Sequence, residues 1–182
     1  MLLLIGGGSS VGKTSASQAL AAGLGLPHVQ LDTLMNAPEF DSLFDGHRPG
    51  FWDQEPTELK QLLVRKGDAA LAGLPRWLGQ HSDDRGILLE GEGIQPQFLN
   101  DLGDLPGIRL LFIVELDAST LRQTLTERSK SFRALTALQQ DNVVETNRLY
   151  NEWIVQEATK HGQPCVASQP WSSLPARLLR AL

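Results

Sequence analysis

The eight residues Gly7-Gly8-Ser9-Ser10-Val11-Gly12-Lys13-Thr14 restrict what this chain can fold into more than any other stretch. They follow Met1-Leu2-Leu3-Leu4-Ile5, an apolar run of strand length, and precede a segment that reads as a helix from about Lys13 to Leu24, stopped by Gly25 and Pro27. Gly7, Gly12, Lys13 and Thr14 fill every fixed position of the Gly-x-x-x-x-Gly-Lys-Thr pattern. Glycines let the backbone curl so that successive N–H groups turn inward, and with the helix N-terminus they form an anion cradle. Lys13 adds a point charge for the β- and γ-phosphates, the Thr14 hydroxyl is of the type that ligates Mg²⁺, and Ser15 stands within reach of an α-phosphate. The expected ligand is ATP, with GTP the alternative. A glycine turn that merely joined strand to helix would need neither the lysine nor the hydroxyl.

Short apolar runs alternate with amphipathic stretches through the rest of the chain, which implies βαβ units and a parallel sheet. The strands are expected at Leu2–Ile5, His28–Leu31, Gly86–Leu89, Arg109–Glu115 and Pro164–Ala167. A long helix is expected from about Pro56, with Leu59, Leu62, Leu63, Ala70 and Leu74 buried and a kink or break at Pro75. A short helix is expected over 96–102. Asp117 is placed to cap the next helix, and Asn142 with Glu145 has capping-box spacing for another. On that helix Leu149, Tyr150, Trp153, Ile154 and Ala158 are expected to face inward, and a last amphipathic helix over 174–182 closes the chain.

Composition bounds the possibilities. The 182 residues suit one domain spanning 1–182. The net charge of −5, with no block of like charge, argues against nucleic acid as the main partner. The apolar N-terminal run is too short for a membrane span or signal peptide. The single cysteine, Cys165, excludes an intrachain disulfide and a cysteine-built zinc site. It points to a reducing, cytoplasmic compartment. It is expected to be buried and inert in the last strand. The four histidines have no metal-ligand spacing.

Parallel sheets bind ligands beyond the carboxyl ends of their strands, so the residues just after each strand are the first candidates. Asp32 closes the second strand. Glu90 closes the third, with Glu92 two positions on. Asp117 follows the fourth, with Arg128 further along. There is no Asn-Lys-x-Asp segment, and Glu90 stands where many motor ATPases have an Asp-Glu pair.

On the Lys13 loop, on Asp32 nineteen positions after it, and on the strand at 109–115 followed by Asp117 and Arg128, the chain resembles the nucleotide and shikimate kinase group of P-loop kinases. Glu90-Gly91-Glu92-Gly93-Ile94-Gln95-Pro96 and the stretch from Asn147-Arg148-Leu149-Tyr150 to Pro164 are similar to 2-phosphoglycerate kinases. The loop and the acid after strand 2 are shared with chloramphenicol phosphotransferase. The resemblance implies a three-layer α/β/α fold with a five-stranded parallel sheet of order 2-3-1-4-5 and a small lid over 126–135. It implies an ATP-dependent phosphotransferase acting on a small-molecule hydroxyl acceptor, as monomer or homodimer.

In that reading Asp32 is the base, Glu90 (or Glu92) serves the metal with Thr14, and Arg128 and Arg133 close over the phosphates. Gln169-Pro170-Trp171 lies where this group places the adenine. Residues 33–83 build the acceptor region, where Arg48, Phe51 and Trp52 are candidates. Arg148 is a further phosphate contact. Each has a plainer role open to it: Asp32 as a helix cap, the glutamates as solvated acids, the arginines as a solvated charged helix, and the aromatics as packing. A nucleotide-dependent switch that phosphorylates nothing, and an antibiotic phosphotransferase, are the alternatives.

Overall fold

The computed structural model describes residues 1–34, 48–81, 86–102 and 107–182. Five strands, β1 (Leu2–Gly6), β2 (His28–Gln30), β3 (Ile87–Glu90), β4 (Ile108–Val114) and β5 (Cys165–Ala167), form one sheet in the order β2-β3-β1-β4-β5. Every pairing is parallel, with Ile5 opposite Glu90 and Leu111, and Phe112 opposite Cys165. The helices are α1 (Lys13–Leu24), α2 (Leu31–Leu34), α3 (Pro56–His81), α4 (Phe98–Asp101), α5 (Ala118–Arg128), α6 (Lys130–Arg133), α7 (Ala137–Lys160) and α8 (Leu174–Ala181). No helix among the described residues is long and apolar enough to cross a membrane.

Strand side chains alternate between the faces, and each face has its own helices. Leu4, Leu89, Leu110 and Phe112 meet α3 through Leu63, Ala70, Leu74 and Trp77, and α7 through Tyr150, Ile154 and Ala158. Leu3, Ile5, Leu88, Leu111 and Ile113 meet Ala16, Leu20 and Ala21 of α1 and Leu174 and Leu178 of α8. Burial on both faces explains why β1, β3 and β4 read as nearly unbroken apolar runs. A third cluster of Leu121, Leu125, Phe132, Val143 and Val144 seats α5 and α6 on the start of α7.

Several local expectations are corrected. Strand 2 ends at Gln30, and Leu31–Leu34 is already helical, so Asp32 lies within the turn of α2 rather than at the strand end. The helix at Pro75 neither breaks nor stops; it runs to His81. Pro75 is exposed, so the carbonyl it leaves without an N–H can turn to water, while Leu74, Trp77 and Leu78 hold the flanking turns on the core. The long helix starts at Ala137, not at Asn142. Thr136 is its cap, in a capping box with Gln139, and Asn142 lies inside. Leu149 and Trp153 are only half-buried, whereas Asn147 and Asn151 are buried. Cys165 is exposed, because β5 is the edge strand. Of the 33–83 acceptor region, 35–47 and 82–83 lie outside the described residues.

Candidate active site

β1 delivers the chain into the loop at the carboxyl edge of the sheet. Gly7 has φ 139°, Ser10 φ 61° and Gly12 φ 91°, so the loop turns through backbone conformations that side chains disfavour. A methyl on Gly7 would strike the Ile113 carbonyl. Gly12 caps α1 with no side-chain hydrogen bond, which leaves the first-turn N–H groups of α1 for an anion. Val11 is buried and anchors the loop to the core below it, whereas Ser15 is exposed on the first turn of α1.

Lys13 is 9% exposed, and its Nζ donates to the Gly8 carbonyl at 2.6 Å, bridging the loop. Thr14 Oγ1 donates to Glu90 Oε1 at 2.7 Å. Glu90 is 3% exposed, and His28 Nε2 approaches the same oxygen at 3.9 Å. A hydroxyl and a carboxylate therefore meet at the mouth of the loop. These two hard oxygens suit Mg²⁺, which takes one or two protein oxygens and fills its octahedron with water and phosphate. No group of three His, Cys, Asp or Glu side chains that could hold a metal occurs among the described residues. Asp32 stands one strand away, on α2 directly after β2, which pairs with β3 up to Gln30 and Glu90. Its side chain lies outside the described residues.

Two residues absent from the sequence reading of the loop hold it from above. Asn151 Oδ1 accepts the Gly8 N–H at 3.2 Å, and Asn147 Oδ1 accepts the Ser9 N–H at 3.0 Å. The signal for them is their spacing: two asparagines four apart lie on one helix face, and here that face also carries Val143, Ile154 and Ala158. Buried amides need partners, and the loop supplies them.

The residues expected to close over the phosphates diverge. Asp117 caps α5 by accepting the Thr120 N–H, which lowers its carboxyl pKa together with the Ser119 hydroxyl, the stronger influence. Ser129 caps α6. The Arg128 guanidinium lies 4.0 Å from the Trp171 ring centroid, and Trp171 sits against the loop, about where a side chain on Gly12 would meet it. Arg133 instead folds back onto the Thr126 and Glu127 carbonyls at the end of α5. Pro170, joined to Gln169 by a cis bond, caps the one-turn helix Trp171–Ser173, and its carbonyl accepts from Arg177. Arg148 is held by Glu145 and Glu152 on its own helix; its hydrogen bonds to the Glu145 carboxylate are the main reason its pKa is raised. Arg48 lies 5.7 Å over the Phe51 ring, and Phe51 is buried edge-on to Trp52.

A cleft of about 530 Å³ opens beside the loop. Ser9 and Asn147 form its loop end, Lys66 and Leu63 of α3 one wall, and Leu125 of α5 with Ser129 and Phe132 another, with Trp52 and Glu92 also lining it. Lys66 Nζ and a Glu92 carboxylate oxygen are 3.4 Å apart within it. Of the aromatic candidates, Trp52 reaches this cleft; Lys66 and Thr146 line it without having stood out in the sequence.

No protein-family model matches the chain, and no curated protein does. Solved structures do. Deoxyadenosine kinase from M. mycoides with bound dATP superposes with a TM-score of 0.54 at 15% identity, over 99% of this chain and 98% of that one. Shikimate kinase from Bacteroides thetaiotaomicron gives a TM-score of 0.53 at 15% identity, over 99% and 97%. Shikimate kinase from Aquifex aeolicus gives 0.52 at 15%, over 99% and 94%. The fold is that of the P-loop small-molecule kinases. The coverage of both partners means that the likeness extends beyond the loop to the strand order and the helix layers on either side.

Proposed function

We propose that the chain is an ATP-dependent phosphotransferase that moves the γ-phosphate to a hydroxyl of a small molecule. The observation that carries this is the meeting of Lys13, Thr14 and Glu90 at the loop, with a cleft opening directly beside it from Ser9. A switch protein has no need of a second cavity next to its phosphate site. The kinase and nucleotide named for the structural neighbours are consistent with this reading.

In the reaction the acceptor oxygen attacks the γ-phosphorus in line, the bond to the β-phosphate oxygen breaks, and ADP leaves. Lys13 releases the Gly8 carbonyl and turns its charge to the phosphates. The loop amides and the N-terminus of α1 hold the phosphate chain in place. Asp32 orients the acceptor hydroxyl and takes its proton. Bound through Thr14 and the Glu90 carboxylate, Mg²⁺ would neutralise charge on the phosphate oxygens. Arg128 leaves Trp171, Arg133 leaves its carbonyls, and the lid closes over the cleft to exclude water. Pro170 and Trp171 flank the adenine.

The test has two stages. Lys13→Ala should lower ATP binding or turnover by orders of magnitude, and unchanged turnover would overturn the phosphate site. A screen of hydroxyl-bearing metabolites and antibiotics for stimulated ADP release then seeks the acceptor. With that acceptor, Asp32→Asn should keep ATP binding and lose transfer; transfer near the wild-type rate would remove Asp32 as base. ATP binding with no acceptor-stimulated turnover would favour a switch instead.

A further inference from the structure

Asn147 and Asn151 lie one turn apart on α7, 4% and 0% exposed. Each uses both ends of its amide. Asn147 Nδ2 donates to the Val143 carbonyl and Asn151 Nδ2 to the Asn147 carbonyl, both at 2.9 Å, so the side chains are locked along the helix. Their oxygens, thereby aimed, accept the Gly8 and Ser9 N–H groups. Those two amides are thus occupied by protein, and phosphate is left to the amides further along the loop. The same helix carries the wall of the cleft, through Val143, Thr146 and Asn147, and Asn142 Nδ2 donates to the Trp52 carbonyl at 2.9 Å.

We propose that Asn147 and Asn151 are positioning residues that fix the first half of the phosphate loop against α7, and so set the loop's distance from the acceptor cleft. The proposal rests on the phosphotransferase reading above. It also explains Gly8. Gly8 has no positive φ, so its backbone would admit a side chain. A methyl there would lie 2.7 Å from Asn151 Nδ2 and 3.0 Å from its Oδ1. The glycine is needed because the asparagine closes on it.

The experiment compares wild type, Gly8→Ala, Asn151→Ala and the double variant. It reads the affinities of ATP, ADP and adenosine with each. Asn151→Ala should weaken ATP roughly tenfold, the scale of one buried hydrogen bond, and leave adenosine unchanged. A general loss of structure would instead weaken both. Gly8→Ala should weaken ATP at least as much, but should have little further effect in the Asn151→Ala background, where the methyl has room. Hydrogen exchange at the loop should quicken in Asn151→Ala without nucleotide. If Asn151→Ala fails to fold, Asn147→Ala should give the same ATP-selective loss and loop exchange through the Ser9 amide. An equal Gly8→Ala penalty in both backgrounds, or equal losses for ATP and adenosine, overturns this proposal alone. Wild-type protein that binds no ATP overturns the phosphotransferase reading and this one with it.

Discussion

The same substitution at two glycines of α3 should change stability in opposite directions. Gly79 has nothing within 4 Å of where a side chain would project, and it is exposed. Alanine there removes backbone freedom from the unfolded chain and should stabilise by about 0.5–1 kcal/mol, the lower figure reflecting its place in the last turn. Gly67 is buried, and a methyl there falls on the Gln95 carboxamide. Gln95 is wholly buried, and its Nε2 donates to the Leu63 and Val64 carbonyls at 3.1 and 2.9 Å. This amide joins α3 to the turn after β3, which carries Glu92 and follows directly on Glu90. Displacing it leaves a buried donor unpaired, costing about 1–3 kcal/mol, with overpacking of similar size. Against a propensity gain of about 1 kcal/mol, Gly67→Ala should destabilise by about 3 kcal/mol, the middle of the range these contributions span. With a urea slope of about 2 kcal/mol/M, the midpoint should fall by roughly 1.5 M for Gly67→Ala and rise by roughly 0.4 M for Gly79→Ala. If both variants raise the midpoint, Gln95 moves aside freely and is not the fastening described.

Two further outcomes follow from single contacts. Thr136→Ala removes the capping box of α7 and should cost about 1 kcal/mol in urea unfolding, while Asn142→Ala, although mid-helix, should instead loosen the Trp52 turn, read as faster exchange of residues 51–54. Glu90→Gln keeps an acceptor for the Thr14 hydroxyl but removes the charge, so half-maximal ATP turnover should need roughly tenfold more Mg²⁺, within the range for loss of a group beside a bound metal; an unchanged Mg²⁺ dependence would take Glu90 out of the metal site.

The sheet was legible because its causes are local. Strands buried on both faces read as apolar runs, the loop glycines mark where β1 ends, and the strand order followed from resemblance. Helix limits were less so where two signals competed. Thr136 with Gln139 and Asn142 with Glu145 both have capping-box spacing, and the packing of Val143 and Val144 against α5 and α6 favours the earlier one. At Pro75 the helix continues without a break, because the proline is exposed and its missing hydrogen bond can be left to water.

The site divides along the same line. Lys13 and Thr14 are marked by the motif, and a strand end offers Glu90 with Glu92 as its alternative; the hydrogen bond from Thr14 is what singles out Glu90 beside the loop. Arg128 and Arg133 are both candidate lid residues in sequence, yet one lies on Trp171 and the other folds back on the end of α5, because the turn between α5 and α6 separates them. Asn147 and Asn151 are the deeper case. An asparagine mid-helix reads as a surface residue, since its propensity there is poor and its side chain favours water. What makes these two informative is that Val143, Ile154 and Ala158 on the same face demand burial. The Nδ2 of each buried amide bonds back to a carbonyl of its own helix, but its oxygen must find a donor outside, and only a segment with unpaired N–H groups can supply one. A phosphate loop has such groups, so two asparagines on an otherwise apolar helix face are a sign that the helix packs on one.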